Sequence, residues 1–498
     1  MNVNPITRLD YPDPDVIRVE DTYYMVSTTM HFMPGCEILQ SFDLVHWEHV
    51  TYVYETLDHT DAQQLKSGQN IYGQGMWAAS LRYHEGRFCI CFVANDTRKT
   101  YLYTSEKIDG PWKKQLIEGF YHDGSLLFDE DGRNYIVYGN DEIWITELNE
   151  DLTAPKKDGL HRLLVSDHKN PELGYEGSHI QKINGYYYIF LVHSLRDRWM
   201  RTEACFYSDS LEGEFTGGDV LCDDRGYCGQ GVAQGGIVDT PDGKWYAMLF
   251  QDSGAVGRIP ILVPVTWKDH FPVFGQNGHV PEEIEVHSTR PGYIYQPLVG
   301  SDDFCNGLLP RWQFNHDPDP RYYHLDALQG TYTITTREVC TELTQAVNTL
   351  TQRMSYPSCA AEVTVDASAL KEGDVAGLCA LQGCYAAVGI TKHHGKYEVL
   401  MLDKKEDGIL DMTERTVVES HQMDFRLEAD FCNMKDEARC YYRVNKGDWL
   451  PIGTVHKLYF KLDHFTGCRF GLFCYAAEET GGSACFRDFK YYDVDEIS

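Results

Sequence analysis

Three acidic residues recur at the start of similar stretches: Asp13 in PDPDVIRV, Asp123 in HDGSLLFDEDG and Glu176 in EGSHIQKINGYYYIF. Each opens a run with strand character, where a carboxylate is expensive to bury. Two carboxyl groups flanking an acetal suffice for glycoside hydrolysis, because one protonates the leaving oxygen while the other acts on the anomeric carbon or on a water. A third acid nearby raises its neighbours' pKa and can keep a general acid protonated near neutral pH. Two other uses of the same residues stay open. A calcium cage normally adds carbonyl or Asn ligands at close spacing. A sugar-binding surface without catalysis needs aromatic platforms and hydrogen-bonding groups, yet no cluster of acids. Taken singly, an Asp beside proline, as in PDPD, is ordinary turn chemistry.

The elements that carry these acids repeat. Five segments share one plan, a short strand, a turn rich in Gly, Asp or Asn, then an aromatic-rich strand: DPDVIRVEDTYYMVS, AASLRYHEGRFCICF, DGSLLFDEDGRNYIVY, EGSHIQKINGYYYIF and QGGIVDTPDGKWYAMLF, starting at 13, 78, 123, 176 and 234. Such spacing suits four-stranded units, and stretches such as TYLYTSE at 100–106 supply further strands. Five all-β units of this size predict a five-bladed propeller around a central axis. A parallel α/β barrel is disfavoured, since its strands would alternate with long helices. The five opening positions hold Asp13, Ala78, Asp123, Glu176 and Gln234. Equivalent positions on innermost strands gather at one end of the axis, so acids remote along the chain are expected to meet in one pocket.

Bulk properties exclude several partners. The 498-residue chain is 43% hydrophobic, which suits a globular protein of two domains or one large repeat architecture. With 75 acidic and 44 basic side chains its formal charge is −31, which repels nucleic acid and anionic membranes. The opening MNVNPITRLDYPDPD lacks a secretion pattern and no stretch approaches a membrane span, so a cytoplasmic address is expected. The 16 cysteines are scattered without a CxxC pair and read as buried free thiols of a reducing compartment.

The stretches YPDPDVIRVEDTYYMVSTT, MPGCEILQSFDLVHW, WAASLRY, HDGSLLFDEDG, EGSHIQKINGYYY and GGIVDTPDGKWY resemble glycoside hydrolase family 43, five-bladed enzymes that include β-xylosidases and α-L-arabinofuranosidases. The resemblance covers roughly residues 1–295. It implies that Asp13 is the general base activating water, that Asp123 tunes and orients the acid, and that Glu176 is that acid. It also implies inversion at the anomeric carbon. Arg258 matches an arginine that reaches the bound sugar in relatives, and Trp77 and Phe32 are candidate walls of the sugar subsite. Many members carry a His on the axis in blade five, some of them holding a calcium, whereas this chain has Gln234, a poorer metal ligand. No cofactor is required for the chemistry, and a structural calcium is left open.

Residues 1–297 are thus expected to form the catalytic propeller and 298–498 a β-sandwich, from strands such as TYTIT, AAEVTVD and RFGLFCY. The resemblance implies that the sandwich packs on the propeller and lends its rim a loop, for which HFTGCRF at 464–470 is the candidate. An independent carbohydrate-binding module is the alternative. The expected substrate is a xylo- or arabino-oligosaccharide cut from its end, by a β-1,4-xylosidase or an α-L-arabinofuranosidase. A homo-oligomer is compatible with this reading.

Overall fold

A computed structural model describes residues 3–493. It contains five antiparallel sheets arranged as blades, followed by two larger sheets. The blades open on the strands Asp15–Val19, Met76–His84, Ser125–Phe128, Glu176–Ile183 and Val232–Ala233, the last continued by Ile237–Asp239. Each opening strand pairs with the aromatic-rich strand that follows it, as in Asp15↔Val26 and Ile180↔Ile189. The alternation of large side chains puts Tyr, Phe, Leu and Ile from neighbouring blades into shared cores, such as the one joining Val26 and Ile38 to Leu81 and Ile90. The ring closes on the N-terminal segment. The Asn4 side chain donates to Leu262 O (2.7 Å) and accepts from Leu262 N–H (2.8 Å), as a strand partner would.

The inner strands are stitched across the axis. Leu81 N–H donates to Asp15 Oδ2, Leu126 N–H to Ser80 Oγ and Ile180 N–H to Ser125 Oγ, each bond crossing from one blade to the next. The Arg82 guanidinium extends the stitching, donating to Asp15 Oδ2, Ser125 Oγ, Leu126 O and Ile180 O, so one cation ties four blades. Asp15 also meets His179 Nδ1 at 3.1 Å. Burial opposes the Asp15 charge, but Arg82 and His179 outweigh it and hold the carboxyl below its ordinary value.

These cross-axis bonds fix which residues are equivalent, and they correct one expectation. Asp15, Ser80, Ser125 and His179 occupy the same place, so two residues earlier stand Asp13, Ala78, Asp123 and Gly177. Glu176 is one residue out of step and corresponds to His122 and Trp77. A β-bulge lies at this point of the inner strands. In blade four the pairing jumps from Glu176↔Val192 to His179↔Phe190, and blade two does the same between Met76 and Ala79.

The second part is a sandwich of an eight-stranded and a seven-stranded sheet over one large apolar core. The two parts interlock. Propeller residues Phe32–Met33 form a short edge strand that pairs with Gln313–Asn315 of the eight-stranded sheet. Phe32 is therefore not a wall of the sugar pocket. It is 1% exposed, packs with sandwich residues such as Leu343 and Phe473, and lies 3.4 Å under the Arg469 guanidinium. A buried ion pair between Arg353 and Glu37 (2.9 Å) adds a second rivet between the parts.

Candidate active site

The blade openings converge at one end of the axis as a cluster of acids and bases. His122, Asp123 and Glu176 offer ligand-type atoms that all lie within 4.8 Å of one another. His122 Nε2 is 3.5 Å from Glu176 Oε2 and 3.6 Å from Asp123 Oδ2. Asn140 donates to Glu176 Oε2 at 2.7 Å. The Gly177 N–H donates to Asp123 Oδ2 at 3.0 Å, which locks the two acidic loops together. Glycine is needed at 177 for two reasons. Its φ is +66°, and a Cβ there would lie 2.7 Å from Gln234 Cγ.

Asp13 enters from blade one. Thr28 Oγ1 donates to its Oδ2 (2.6 Å) and Arg258 Nη1 to its Oδ1 (2.9 Å). Asp13 is close enough for its charge to act on Asp123 and His122. Burial raises the Asp123 carboxyl to about 6, with Glu176 and Asp13 adding to the rise and His122 opposing it. Burial disfavours the His122 cation, yet Asp123, Glu176 and Asp13 outweigh that and raise it to about 9. His122 is therefore an imidazolium at neutral pH, a positive charge among three carboxyl groups. Asp13 and Asp123 both have positive φ, the short polar side chains that tolerate that backbone best.

The sandwich completes the rim through the 464–470 loop. Phe465 lies 5.6 Å from the Trp77 ring and 4.2 Å from the Arg258 guanidinium, and its carbonyl accepts from Arg258 Nη2 at 3.5 Å. Trp77 in turn lies 5.8 Å from His122. His464 stacks on Tyr72 at 3.9 Å with the rings 10° apart. Asp10 pins this arrangement from below, accepting from Arg258 N–H with one oxygen and from Gly467 N–H with the other, both at 2.8 Å.

Of the residues expected from the sequence, Asp13, Asp123, Glu176, Trp77 and Arg258 come together here, with Gln234 beside Gly177. Arg258 is no solvated strand end: it is 2% exposed and paired with Asp13. Three further residues were not anticipated, His122, Thr28 and Arg201. His122 could have been found by aligning blades three and four on Ser125 and His179 in place of DGS and EGS, which sets it level with Glu176. Arg201 gives no signal in WMRTEACF, since it joins the site from the third strand of blade four, Arg201–Ser208.

At the blade-five position Gln234 offers an ion one side-chain amide. Among the described residues, one group of three His, Cys, Asp or Glu side chains lies close enough to share an ion, His122, Asp123 and Glu176. A single amide is a weak start for an ion that takes six to eight oxygens.

The pairing of a carboxylate held by an arginine with a second carboxylate beside a protonated histidine suits acid and base work on one bond. Comparison with known proteins agrees. Residues 3–272 match the family described as glycosyl hydrolases family 43, and 301–492 match the β-xylosidase C-terminal concanavalin A-like domain. A β-xylosidase of Formosa agariphila is 27% identical over 99% of this chain and 89% of its own length. A xylosidase/arabinosidase of Butyrivibrio fibrisolvens is 23% identical over 99% of both. The solved structure of a bifunctional GH43-CE protein of Bacteroides eggerthii superposes with a TM-score of 0.92 at 42% identity, covering 98% of this chain and 63% of that one. The chain is a glycoside hydrolase, a member of family 43 with that family's propeller and C-terminal sandwich.

Proposed function

We propose that the protein is an inverting exo-glycosidase that releases a terminal pentose, chiefly β-1,4-linked xylose from xylo-oligosaccharides. One observation carries the reading. Asp13 and Glu176 converge from different blades on one cluster, and a loop of the sandwich crosses its rim with Phe465. In this reading Glu176 protonates the leaving oxygen. Asp13, oriented by Arg258 and Thr28, takes a proton from the attacking water. His122 and Asp123 set the charge around Glu176. The rim loop favours chain ends over mid-chain bonds, because it narrows the cleft that a polymer would have to cross. α-L-Arabinofuranosidase activity is the second reading, favoured by the relative named for both sugars.

Short oligosaccharides are the substrates expected inside a cell. All 16 cysteines are free and most are buried, which supports a reducing compartment. Among the described residues no helix is long and apolar enough to cross a membrane. The test is turnover of aryl β-D-xyloside and aryl α-L-arabinofuranoside, offered separately, with the first-formed anomer followed by proton NMR. A first product of retained configuration refutes inversion. Failure to cleave either glycoside refutes the pentosidase.

A further inference from the structure

Arg201 is a buried cation whose hydrogen-bonding capacity is largely unused. Its side chain is 8% exposed, and its Nε donates to Asp252 at 2.8 Å. No hydrogen bond is recorded for Nη1 or Nη2 among the described residues, and neither is among the atoms sealed away without a partner. Both amino groups therefore face open space from an otherwise enclosed side chain. Two rings flank the guanidinium, Trp199 at 5.3 Å and Phe250 at 5.2 Å, and restrict its plane. Phe250 lies 5.2 Å from the Arg201 guanidinium and 5.4 Å from that of Arg258, which pairs with Asp13, so the open fork stands beside the proposed base.

Two donor groups that face open space from an otherwise enclosed side chain are placed to exchange water for the oxygens of a ligand. A fork of two parallel N–H donors matches two acceptors about one carbon–carbon bond apart. An anionic ligand would have to approach Glu176 and Asp13 at close range, whereas neutral hydroxyls carry no such penalty.

We propose that Arg201 binds substrate directly, its Nη1 and Nη2 donating to oxygens on two adjacent carbons of the terminal pentose. This rests on the pentose reading above. Arg258 places one amino group on Asp13 and the other on Phe465 O, whereas both amino groups of Arg201 are without a protein partner among the described residues, so Arg201 offers the free fork. Trp199, 43% exposed, gives the guanidinium an aromatic face at the rim.

The test pairs Arg201→Lys with monodeoxy substrates. Lysine keeps the charge that Asp252 needs but loses the fork. The probes are aryl β-D-xyloside, or aryl α-L-arabinofuranoside if that is the one cleaved, and their counterparts lacking one hydroxyl at a time. Removing either of two neighbouring hydroxyls should lower wild-type kcat/KM by about 10- to 150-fold. In Arg201→Lys the parent glycoside should fall by a similar factor, and the same two deletions should then cost less than about threefold. The urea midpoint, measured alongside, separates a folding defect from lost binding. Full deoxy penalties retained in Arg201→Lys at every position would overturn the proposal and leave Arg201 a structural partner of Asp252. Preference for an aryl glucuronide over the pentosides would overturn it too, since the fork would then hold a carboxylate. If neither pentoside is cleaved or bound, the pentose reading fails first and the diol clamp falls with it.

Discussion

Gly467→Ala should separate the contribution of the rim from that of the acids. A Cβ at 467 would stand 2.2 Å from Val256 O and 2.7 Å from Asp10 Cβ, where ordinary contact begins at 3.4 Å. The backbone carbonyl cannot yield, because it lies in the turn leading to Gly257 and Arg258, whose N–H groups are themselves bonded. The loop must therefore retreat by roughly 1 Å, and Phe465, two residues away, leaves its place against Trp77 and Arg258. A displacement of that size at a binding wall costs on the order of 100-fold in kcat/KM. The global penalty should stay near 1–3 kcal/mol, the usual range for one excess methyl group. The assay is kcat/KM on xylobiose and on an aryl xyloside, with urea unfolding in parallel. Wild-type kcat/KM in a folded Gly467→Ala protein would refute the idea that the sandwich loop shapes the pocket. Collapse of stability by much more than 3 kcal/mol would show instead that the loop is a main fastening between the two parts.

The acids, the pH response and the thiols give further tests. Glu176→Gln should lose roughly 100- to 10,000-fold on xylobiose but much less on an aryl glycoside with a good leaving group, which needs little protonation; equal losses on both would deny it the role of acid. Asp13→Asn should suffer on both substrates alike, because the water needs its base whatever the leaving group. Burial raises Asp123, so its contribution to stability is complete below the ordinary carboxylate range near 4 and is lost as pH rises through about 6. Asp123→Asn should therefore be more stable than wild type at pH 7, by on the order of 1–3 kcal/mol, with the gain fading towards pH 4 and activity abolished. A variant less stable than wild type at pH 7 in urea titrations would contradict that sign. A thiol reagent should label Cys222, Cys228, Cys305 and Cys432 in the native protein and the buried cysteines only after unfolding. Fewer than 16 titratable thiols in denaturant without reductant would reveal a disulfide.

Much of this protein is legible along the chain because its signals are local. Blades three, four and five announce themselves through an Asn-Gly or Asp-Gly turn, and blades one and two through Glu-Asp and Glu-Gly, before an aromatic-rich strand, a pattern set within about 15 residues. Five such patterns imply the ring, and acids at their openings imply the pocket. The sandwich follows from the same kind of patterning, whereas the rim loop at 464–470 is implied by the resemblance to known enzymes. The loop's partner residue, Phe465, does lie against Trp77.

What the sequence left undecided depends on pairing between strands distant along the chain. DGS and EGS look alike, so Glu176 reads as the counterpart of Asp123, whereas the bond from Ile180 N–H to Ser125 Oγ sets His179 level with Ser125 and Glu176 level with His122. Phe32 reads as a sugar platform because aromatic residues serve both uses, and only the strand it forms with Gln313–Asn315 commits it to the sandwich. Arg82 and Arg201 have no local signature at all. Each acquires its role from neighbours on other strands and blades, and a cation's function is fixed by what surrounds it in space. Sequence thus determined the elements and the chemical types at their ends, while tertiary closure of the ring decided which charges meet across blades, since those contacts span 54 to 245 residues and are set by registers that no local pattern encodes.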